Sequence, residues 1–526
     1  MITILHHAKI FSPGAQTASA IAIQDGRILD IGQEAGILDN YGQGAQLVDM
    51  QGATIWPGLT DAHIHLEHYS LSLQRLNCDG KSMEACLSLV AEKAKQLPQS
   101  AWILGHGWNQ NDWIEGFGTA GMLDRVAQGH PVYLSSKSLH SAWVNTRALE
   151  LAGIDAHRQD PPGGAIQRDN QGHATGILLE SAVSLVTEVI PAPTPRQVSE
   201  AIDHAQHILW QMGITGVHDF DQSRCFTALQ MLQQDNRLNL RVIKSIPIDQ
   251  LAHVIGLGLR SGFGNDFLRT GSLKLFADGA LGPHTAAMLL PYEDDPKNQG
   301  LLLLDAEAIL DYGYRAVENG LSMAIHAIGD RAIHEVLNAY EQLRKYEKEH
   351  HLPALRHRIE HVQLLHPQDH ARLNQLSIIA SMQPIHATSD MRMADRFWGD
   401  RSANAYDWKA VLSHKTRLAF GSDAPVESPN PFLGLHAAVT RQRQDGSPGV
   451  NGWYPEQRLS LLEALNAYTT GAAYAAGMED RLGKLTPGFY ADLIVLEKDP
   501  FSLPPEQLAN LKPNATMVSG NWVWQS

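Results

Sequence analysis

The 526-residue sequence has few cysteines, no long apolar run and no long block of like charge. Its three cysteines, Cys78, Cys86 and Cys225, form no Cys-x-x-Cys motif and no paired framework. This usage predicts a reducing compartment and argues against a thiolate metal site. The N-terminal segment lacks the basic and apolar regions of a signal peptide, and no apolar run is long enough to span a membrane. We therefore expect a cytoplasmic protein.

The charge pattern limits the class of partner. The formal net charge is -15, and no basic cluster offers the surface that phosphate binding requires. We expect a small-molecule substrate, with neither nucleic acid nor a membrane as a partner, and the sequence leaves a homodimer open. By contrast, histidine is abundant, at 26 residues.

Alternating apolar residues and turn signals predict β-structure at both ends of the chain. Near the N-terminus, AIAIQDGRILDIG is typical of a hairpin whose two-residue turn is Asp25-Gly26. Near the C-terminus, ADLIVLEKDP and NATMVSGNWVWQS have the same character. We predict one small β-sandwich built from residues 1–56 and 483–526, with the rest of the chain inserted between them.

The middle of the chain alternates short apolar strands with helical segments. This pattern predicts an α/β fold with a (β/α)8 TIM barrel over residues 57–482. The stretch at about 80–200 is too long for one crossover helix, so we expect an insertion after the first strand. The eight predicted strands lie in TIWPGLTDAHIH, GITGVHDF, LRVIKSIP, SLKLFADG, SMAIHAIG, HRIEHVQ, SIIASMQP and RLAFGSDAP.

The segment GLTDAHIHL places two histidines at the end of the first predicted barrel strand. Alternate residues of a strand face the same side, so Asp61, His63 and His65 project together. In barrels, the inward side at the carboxyl ends of strands is where active sites are built. Two neutral imidazoles at this spacing can hold a metal ion, although two inert polar residues at a strand end are the structural alternative.

Other predicted strands end in residues that suit a metal site. They carry Lys274, His326, His361 and Asp423. Histidines with an aspartate are the ligands that a borderline cation such as Zn²⁺ takes. The sequence therefore predicts a divalent metal site, with zinc as the expected ion.

The motifs of the barrel region run from Gly58 to Val426 and comprise GLTDAHIHL, GHGWNQNDW, LHSAWVNTRAL, GILLE, GITGVHD, LKLFADGALG, HAIGDRAI, RHRIEHVQ, QPIHATSD and GSDAPV. Together they make the sequence similar to the amidohydrolase superfamily of metal-dependent hydrolases. Within it, the sequence resembles the branch of N-substituted formamide deformylase and its unassigned relatives. The closing segment GKLTPGFYADLIVLEKDP matches that family's return to the β-sandwich.

The resemblance implies a ligand set for one or two metal ions, with Asp423 also handling protons. In relatives, the position of Lys274 holds a lysine modified by CO2 that bridges two metals. An ammonium group would be repelled by the ions, whereas a carbamate supplies anionic oxygens. An unmodified Lys274 that snorkels or pairs with Asp278, beside a single metal, stays open. The implied ligands are His63, His65, Lys274, His326, His361 and Asp423.

Six further residues are candidates for contacts with the substrate. The tryptophans and amides of GHGWNQNDW suit a small, partly apolar ligand, although they could equally form a structural clasp. We expect His218 to be a structural residue paired with Asp219, and Arg358 to form an ion pair with Glu360. The substrate candidates are Trp108, Asn109, His140, Glu180, Gln383 and His386.

The expected activity is hydrolysis of a non-peptide C–N bond in an amide or formamide-like small molecule by metal-activated water. Asp423 would take the proton of the water and deliver it to the leaving nitrogen. Two alternatives remain: deamination of a cyclic C=N substrate, and a catalytically silent barrel that binds or regulates. The segment HAIGD lacks the His-x-x-Glu expected for deamination, and the occupied ligand positions argue against a silent barrel.

Overall fold

The computed structural model describes residues 1–11, 18–110, 113–137 and 140–526. It divides into two compact units, one formed by Met1–Tyr69 with Val198–Ser526 and the other by Ser70–Gln197. The predicted domain boundaries at 57–482 and about 80–200 stay predictions. Within the described ranges, no helix combines the length and apolarity needed to cross a membrane.

The strands follow one another along the chain as β1 Thr3–His6, β2 Lys9–Ile10, β3 Ala20–Gln24, β4 Arg27–Gly32, β5 Gln46–Asp49, β6 Thr54–Pro57, β7 Leu59–Ile64, β8 Leu76–Asn77, β9 Ile103–Trp108, β10 Val132–Ser136, β11 Ser141–Val144, β12 Gly164–Arg168, β13 Ala174–Glu180, β14 Ile214–Asp219, β15 Arg241–Pro247, β16 Leu268–Phe276, β17 Met323–Ala327, β18 Arg358–His361, β19 Ile379–Met382, β20 Leu418–Phe420, β21 Leu493–Leu496, β22 Ala515–Val518 and β23 Asn521–Gln525.

The α-helices are α1 Glu34–Tyr41, α2 Leu66–Ser72, α3 Met83–Gln96, α4 Ala120–Ala127, α5 Thr146–Leu151, α6 Ser184–Thr187, α7 Pro195–Gln211, α8 Ser223–Gln234, α9 Leu251–Gly256, α10 Ala306–Glu318, α11 Asp330–Glu349, α12 His370–Gln375, α13 Pro384–Trp398, α14 Trp408–Ser413, α15 Pro431–Thr440, α16 Leu461–Asn466 and α17 Ala472–Ala475.

Eight parallel strands form the central sheet of the larger unit. Their order is β7, β14, β15, β16, β17, β18, β19 and β20, so each strand lies beside the next one along the chain. Hydrogen bonds from the backbone of Asp423 to His63 (2.7 Å) and from His65 to Ala424 (2.9 Å) bring the first and last strands together. The sheet is therefore nearly closed, and the predicted α/β fold with a TIM barrel is confirmed.

An amphipathic helix fixes two of the strands that carry candidate ligands. In α11, the apolar side chains Ile333, Val336, Leu337 and Tyr340 recur at helical spacing and are buried. The hydroxyl of Tyr340 donates hydrogen bonds to the backbone carbonyls of β17 (3.3 Å) and β18 (3.0 Å). This helix therefore holds the strands of His326 and His361 at a fixed spacing.

Both ends of the chain contribute to one five-stranded sheet, in the order β2, β6, β21, β22, β23. A four-stranded sheet, β4-β3-β1-β5, is formed by N-terminal residues alone. The predicted hairpin is present, and Asp25 (φ 50°) and Gly26 (φ 77°) both have the positive φ that its tight turn requires. One hydrophobic cluster includes residues of both sheets, such as Ile21 and Leu493. The β-sandwich itself stays a prediction.

The unit Ser70–Gln197 has a sheet and core of its own. Its six strands are ordered β12, β13, β11, β10, β9, β8. Trp108, Trp113 and Trp143 pack with apolar residues of α3 and α4. The positions 111–112 of the motif GHGWNQNDW lie outside the described residues.

Candidate metal centre

His63, in the first barrel strand, and His65, directly after it, both direct Nε2 towards the carboxylate of Asp423. The Nδ1 of His63 lies 2.6 Å from Glu360, and the Nδ1 of His65 lies 3.1 Å from Asp221. Because a carboxylate accepts, each Nδ1–H donates; the Nε2 of His63 keeps its lone pair, and the Nε2 of His65 must lose its proton before it can bind a metal. Those Nε2 atoms lie 3.5 and 3.4 Å from Oδ1 of Asp423. A carboxylate behind each imidazole is the usual way of orienting a metal-binding histidine.

The last barrel strand reaches this position because it approaches the first strand very closely. Gly421 is required there, since a Cβ would lie 2.4 Å from the backbone nitrogen of His63. Asp61 joins the two strands by accepting hydrogen bonds from the backbone (3.0 Å) and hydroxyl (2.5 Å) of Ser422. Asp423 then adopts a left-handed φ of 61°, a conformation that aspartate tolerates better than most residues. Asp61 is therefore a structural link that helps to place Asp423 beside His63 and His65.

Among the described residues, four sets of donor atoms lie close enough to hold a divalent ion, with the atoms of each set within 4.8 Å of one another, and two of these sets include Asp423. Two imidazole nitrogens and one carboxylate oxygen match the three protein ligands of many catalytic zinc sites. The donor chemistry of this chain therefore fits a divalent metal. The two sets, which share one carboxylate, are His63, His65, Asp423 and His361, His386, Asp423.

Most of the candidate ligands carry the protonation state that metal binding requires. Burial lowers the pKa of His63 to about 4 and of His326 to about 3, and it also lowers that of His361. At neutral pH these imidazoles are uncharged. His65 differs: burial opposes its charge, but hydrogen bonds to Asp221 and Asp423 raise its pKa to about 10. The imidazole of His65 is therefore protonated at neutral pH when no metal ion is bound.

Comparison with known proteins agrees with this donor chemistry. A model of the amidohydrolase family matches residues 46–524. The chain belongs to the amidohydrolase family. Members of this superfamily are metal-dependent hydrolases.

Similar proteins span nearly the whole chain. YtcJ of Bacillus subtilis (strain 168) is 32% identical over 518 residues, covering 96% of each chain. N-substituted formamide deformylase of Arthrobacter pascens is 26% identical over 531 residues, covering 96% of this chain and 94% of its own. A crystal structure of a metal-dependent hydrolase from Pyrococcus furiosus has a TM-score of 0.80 and 29% identity, covering 95% of this chain and 100% of its own.

In this amidohydrolase, two residues predicted to touch substrate lie at the candidate metal centre. Gln383 accepts a hydrogen bond of 2.8 Å from the Nδ1–H of His361, which turns the Nε2 of that histidine towards the site. His386, in the first turn of α13, has its Nε2 3.9 Å from Asp423. That Nε2 is buried and has no hydrogen-bond partner among the described residues. His386 is therefore a ligand candidate that sequence reasoning missed, although the motif QPIHATSD contained it.

The structure places the two remaining predicted ligands beside the donor sets. His326 donates from Nε2 to the carbonyl of Gly279 at 2.8 Å. The Nζ of Lys274 is buried and lies 4.9 and 4.6 Å from the ring centres of Phe220 and Phe276. Burial lowers the pKa of Lys274 to about 8. Their roles as metal ligands stay predictions.

The ion pair between Lys274 and Asp278, which the sequence left open as an alternative, is not formed. The carboxylate of Asp278 instead accepts backbone N–H groups of Ala287, Ile328 and Gly329 at 2.9, 3.0 and 2.8 Å. It therefore fixes the loops after β16 and β17 and leaves the lysine without that counter-charge.

The predicted ion pair of Arg358 with Glu360 is present, and Glu360 also binds His63. The predicted pairing of His218 with Asp219 is wrong. His218 accepts a hydrogen bond of 2.9 Å from Arg358 at Nδ1, and Asp219 forms an ion pair of 2.9 Å with Lys244. The local sequence HD suggested a pair, but successive residues of β14 face opposite sides of the strand.

Four substrate candidates lie in the unit Ser70–Gln197. Trp108 is fully buried, and its Nε1–H donates to the carbonyl of Leu134 at 2.7 Å, as a structural clasp would require. His140 and Glu180 form an exposed pair at 2.9 Å, and Asn109 is half-buried. Their contacts with substrate stay predictions.

Proposed function

We propose that this amidohydrolase cleaves a non-peptide C–N bond in a small amide or formamide-like molecule. The observation that carries the proposal is the placement of Asp423, whose carboxylate faces His63, His65 and His386 at 3.5, 3.4 and 3.9 Å. A carboxylate shared by two imidazole pairs can both bind an ion and receive a proton. A small molecule is the expected partner, in the cytoplasm.

The residues of the candidate centre would have different roles in holding metal ions. His63, His65 and Asp423 would hold one divalent ion, with zinc expected, and His361 and His386 offer a second position that shares Asp423. When bound, such an ion polarises a substrate carbonyl and lowers the pKa of a water molecule. We further propose that Lys274 reacts with CO2 to form a carbamate and that His326 completes the ligand set.

Asp423 is suited to move the proton. Burial alone would raise its pKa, but the hydrogen bond to His65 and the neighbouring imidazoles hold it well below the usual range. Asp423 is therefore ionised and ready to accept a proton from the attacking water. An amine is a poor leaving group as an anion, so the same side chain returns that proton to the departing nitrogen.

The surroundings of the centre support a substrate with an apolar substituent. Phe276, the last residue of β16, is 46% exposed while its ring centre lies 5.2 Å from that of His326. An aromatic face left open beside candidate ligands suits an alkyl or aryl group on the substrate. The similarity to N-substituted formamide deformylase points to the same class of bond.

A substrate screen with metal-reconstituted protein tests the proposal. The panel contains N-substituted formamides, acyl amides, ureas and cyclic imines, each followed by detection of the released amine or ammonia. We expect turnover of N-substituted formamides or amides by the wild type and none by Asp423→Asn. Release of ammonia from a cyclic C=N compound alone would favour deamination. A metal-loaded protein that turns over nothing would favour the silent barrel.

A further inference from the structure

A cavity of about 260 Å³ is lined by residues that precede or begin β16, β17 and β18, together with His218 of β14 and Ser245 of β15, whereas the metal donors lie at strand ends. Its wall is polar and basic. Among the described residues, no carboxylate side chain lines it. A basic cavity wall without carboxylates contrasts with the net charge of -15 of the whole chain, and this contrast needs an explanation. The wall includes Ser272, Ser322, His218, Arg269, Arg356 and Arg358.

His218 lines this wall and carries a buried hydrogen-bond donor. The side chain is 1% exposed, and its Nδ1 accepts from Arg358 at 2.9 Å, so the proton of the neutral ring lies on Nε2. That Nε2 is buried and has no partner within the described ranges. A buried donor left unpaired is unfavourable, so a binding partner for it is expected.

Arg269 supplies a cation. Two of the three guanidinium groups are already engaged: Arg358 binds Glu360, and Arg356 binds Glu479 through two contacts of 2.6 Å. The Nε of Arg269, by contrast, is buried and has no hydrogen-bond partner among the described residues. A guanidinium N–H held in this way matches the geometry of a carboxylate or phosphate oxygen.

We propose that this cavity binds a small oxyanion of the carboxylate or phosphate type. Arg269 would supply charge and N–H groups, and His218 a neutral N–H after a small movement of its ring. The hydroxyls of Ser272 and Ser322, which bond to each other at 2.8 Å, would turn an O–H towards the anion. Asp266 and Asp480 act on Arg269 through space, but no carboxylate among the described residues forms an ion pair with its guanidinium, and ordered water would not supply one. The site is separate from the proposed reaction and does not depend on which bond is cleaved.

Buried contacts link the cavity to the metal centre. His218 binds Arg358, Arg358 binds Glu360, and Glu360 binds the Nδ1 of His63. Substitutions at His218 or Arg358 would therefore disturb both sites at once. Arg269 makes none of these contacts, so it is the residue to change.

The solution test uses isothermal titration of the metal-loaded protein with phosphate, acetate and formate at constant ionic strength, with chloride as the reference anion. We expect saturable binding of at least one oxyanion and none of chloride. Phosphate alone would identify a phosphate-type ligand, and acetate or formate a carboxylate. Arg269→Gln should weaken binding tenfold or more, and Arg269→Lys, which keeps the charge, should weaken it less. The control Arg147→Gln, at an exposed pair with Glu150, should bind as the wild type does.

Phosphate can also bind a metal, and the variants separate the two sites. Binding that survives Arg269→Gln unchanged would place the anion elsewhere and overturn the proposal. Crystals grown with selenate give a second test that does not depend on any variant. An anomalous peak within hydrogen-bond distance of Arg269 and His218 supports the site. A peak confined to the metal or the surface, or a cavity peak without binding in solution, rejects it.

Discussion

The backbone N–H of Asp423 donates a hydrogen bond of 2.7 Å to the carbonyl of His63. This contact joins the last barrel strand to the first at the point where both carry candidate ligands. It sets the carboxylate of Asp423 against the imidazole of His63, with 3.5 Å between Oδ1 and Nε2. The contact that closes the barrel therefore also brings these two candidate ligands together.

Asp221 should matter for metal affinity although it is not expected to be a ligand. It accepts hydrogen bonds from His65 (3.1 Å) and His68 (2.5 Å). Replacement of such supporting carboxylates costs 10–100-fold in affinity, so we expect a loss in that range for Asp221→Asn. Competition with a chelating dye measures it. His68→Gln is the matched control, because its side chain is 62% exposed and should change affinity little. Equal losses in both variants would contradict the orienting role of Asp221.

Metal binding should release a proton from His65. Its pKa of about 10 means that the metal-free site is protonated at pH 6, while His63, with a pKa of about 4, is not. We expect release of about one proton with the first ion at pH 6, and an affinity that rises about tenfold per pH unit. Titration calorimetry in buffers of different ionisation enthalpy counts the protons. Binding with no proton release would show that His65 is already neutral.

The raised pKa of His65 should also make the stability of the metal-free protein depend on pH. Because the pKa of His65 is raised above its ordinary value of 6.5, the charged ring stabilises the fold fully below pH 6.5. This contribution is lost as the pH rises through about 10. Urea unfolding of the metal-free protein across that range should show the decline, and His65→Gln should reduce it.

The strand pattern was enough to predict the barrel, because it depends on local periodicity, and the His-x-His motif was enough to predict that His63 and His65 lie together at the end of its first strand. The partners that orient those histidines were not predictable. Glu360 and Asp221 lie 297 and 156 residues from His63 and His65 in sequence, and only the closed barrel brings them together. His386 was recognised as a residue near the pocket, but its distance to Asp423 depends on the start of α13.

Lys274 decides between one and two metals. An unmodified ammonium beside the donor sets would oppose ion binding, whereas a carbamate would supply bridging oxygens. We expect Lys274→Ala to lower the metal content towards one ion per chain and to reduce activity sharply, with partial rescue by short carboxylates. Elemental analysis of both proteins, reconstituted together, gives the count. A wild type with one ion, matched in metal and activity by Lys274→Ala, would rule out the bridge.

Phe276 should determine preference for the substituent of the substrate. Its half-exposed ring beside His326 offers apolar contact area that Phe276→Ala removes. We expect roughly a tenfold or greater fall in kcat/KM for aryl or alkyl formamides, and a smaller fall for formamide itself. Phe263→Ala, at a ring that is 63% exposed and precedes β16, is the control. An equal loss on large and small substrates would argue against a specificity role.

The central claim is that Asp423 binds metal and carries the proton at a centre built with His63 and His65. The most direct measurement is kcat/KM together with metal content for the wild type, His63→Ala and Asp423→Asn, with circular dichroism to confirm that each protein is folded. We expect folded variants with activity losses well above the roughly 100-fold that supporting residues cost, and His63→Ala with reduced metal. Either variant retaining near wild-type turnover with its metal bound would contradict the account.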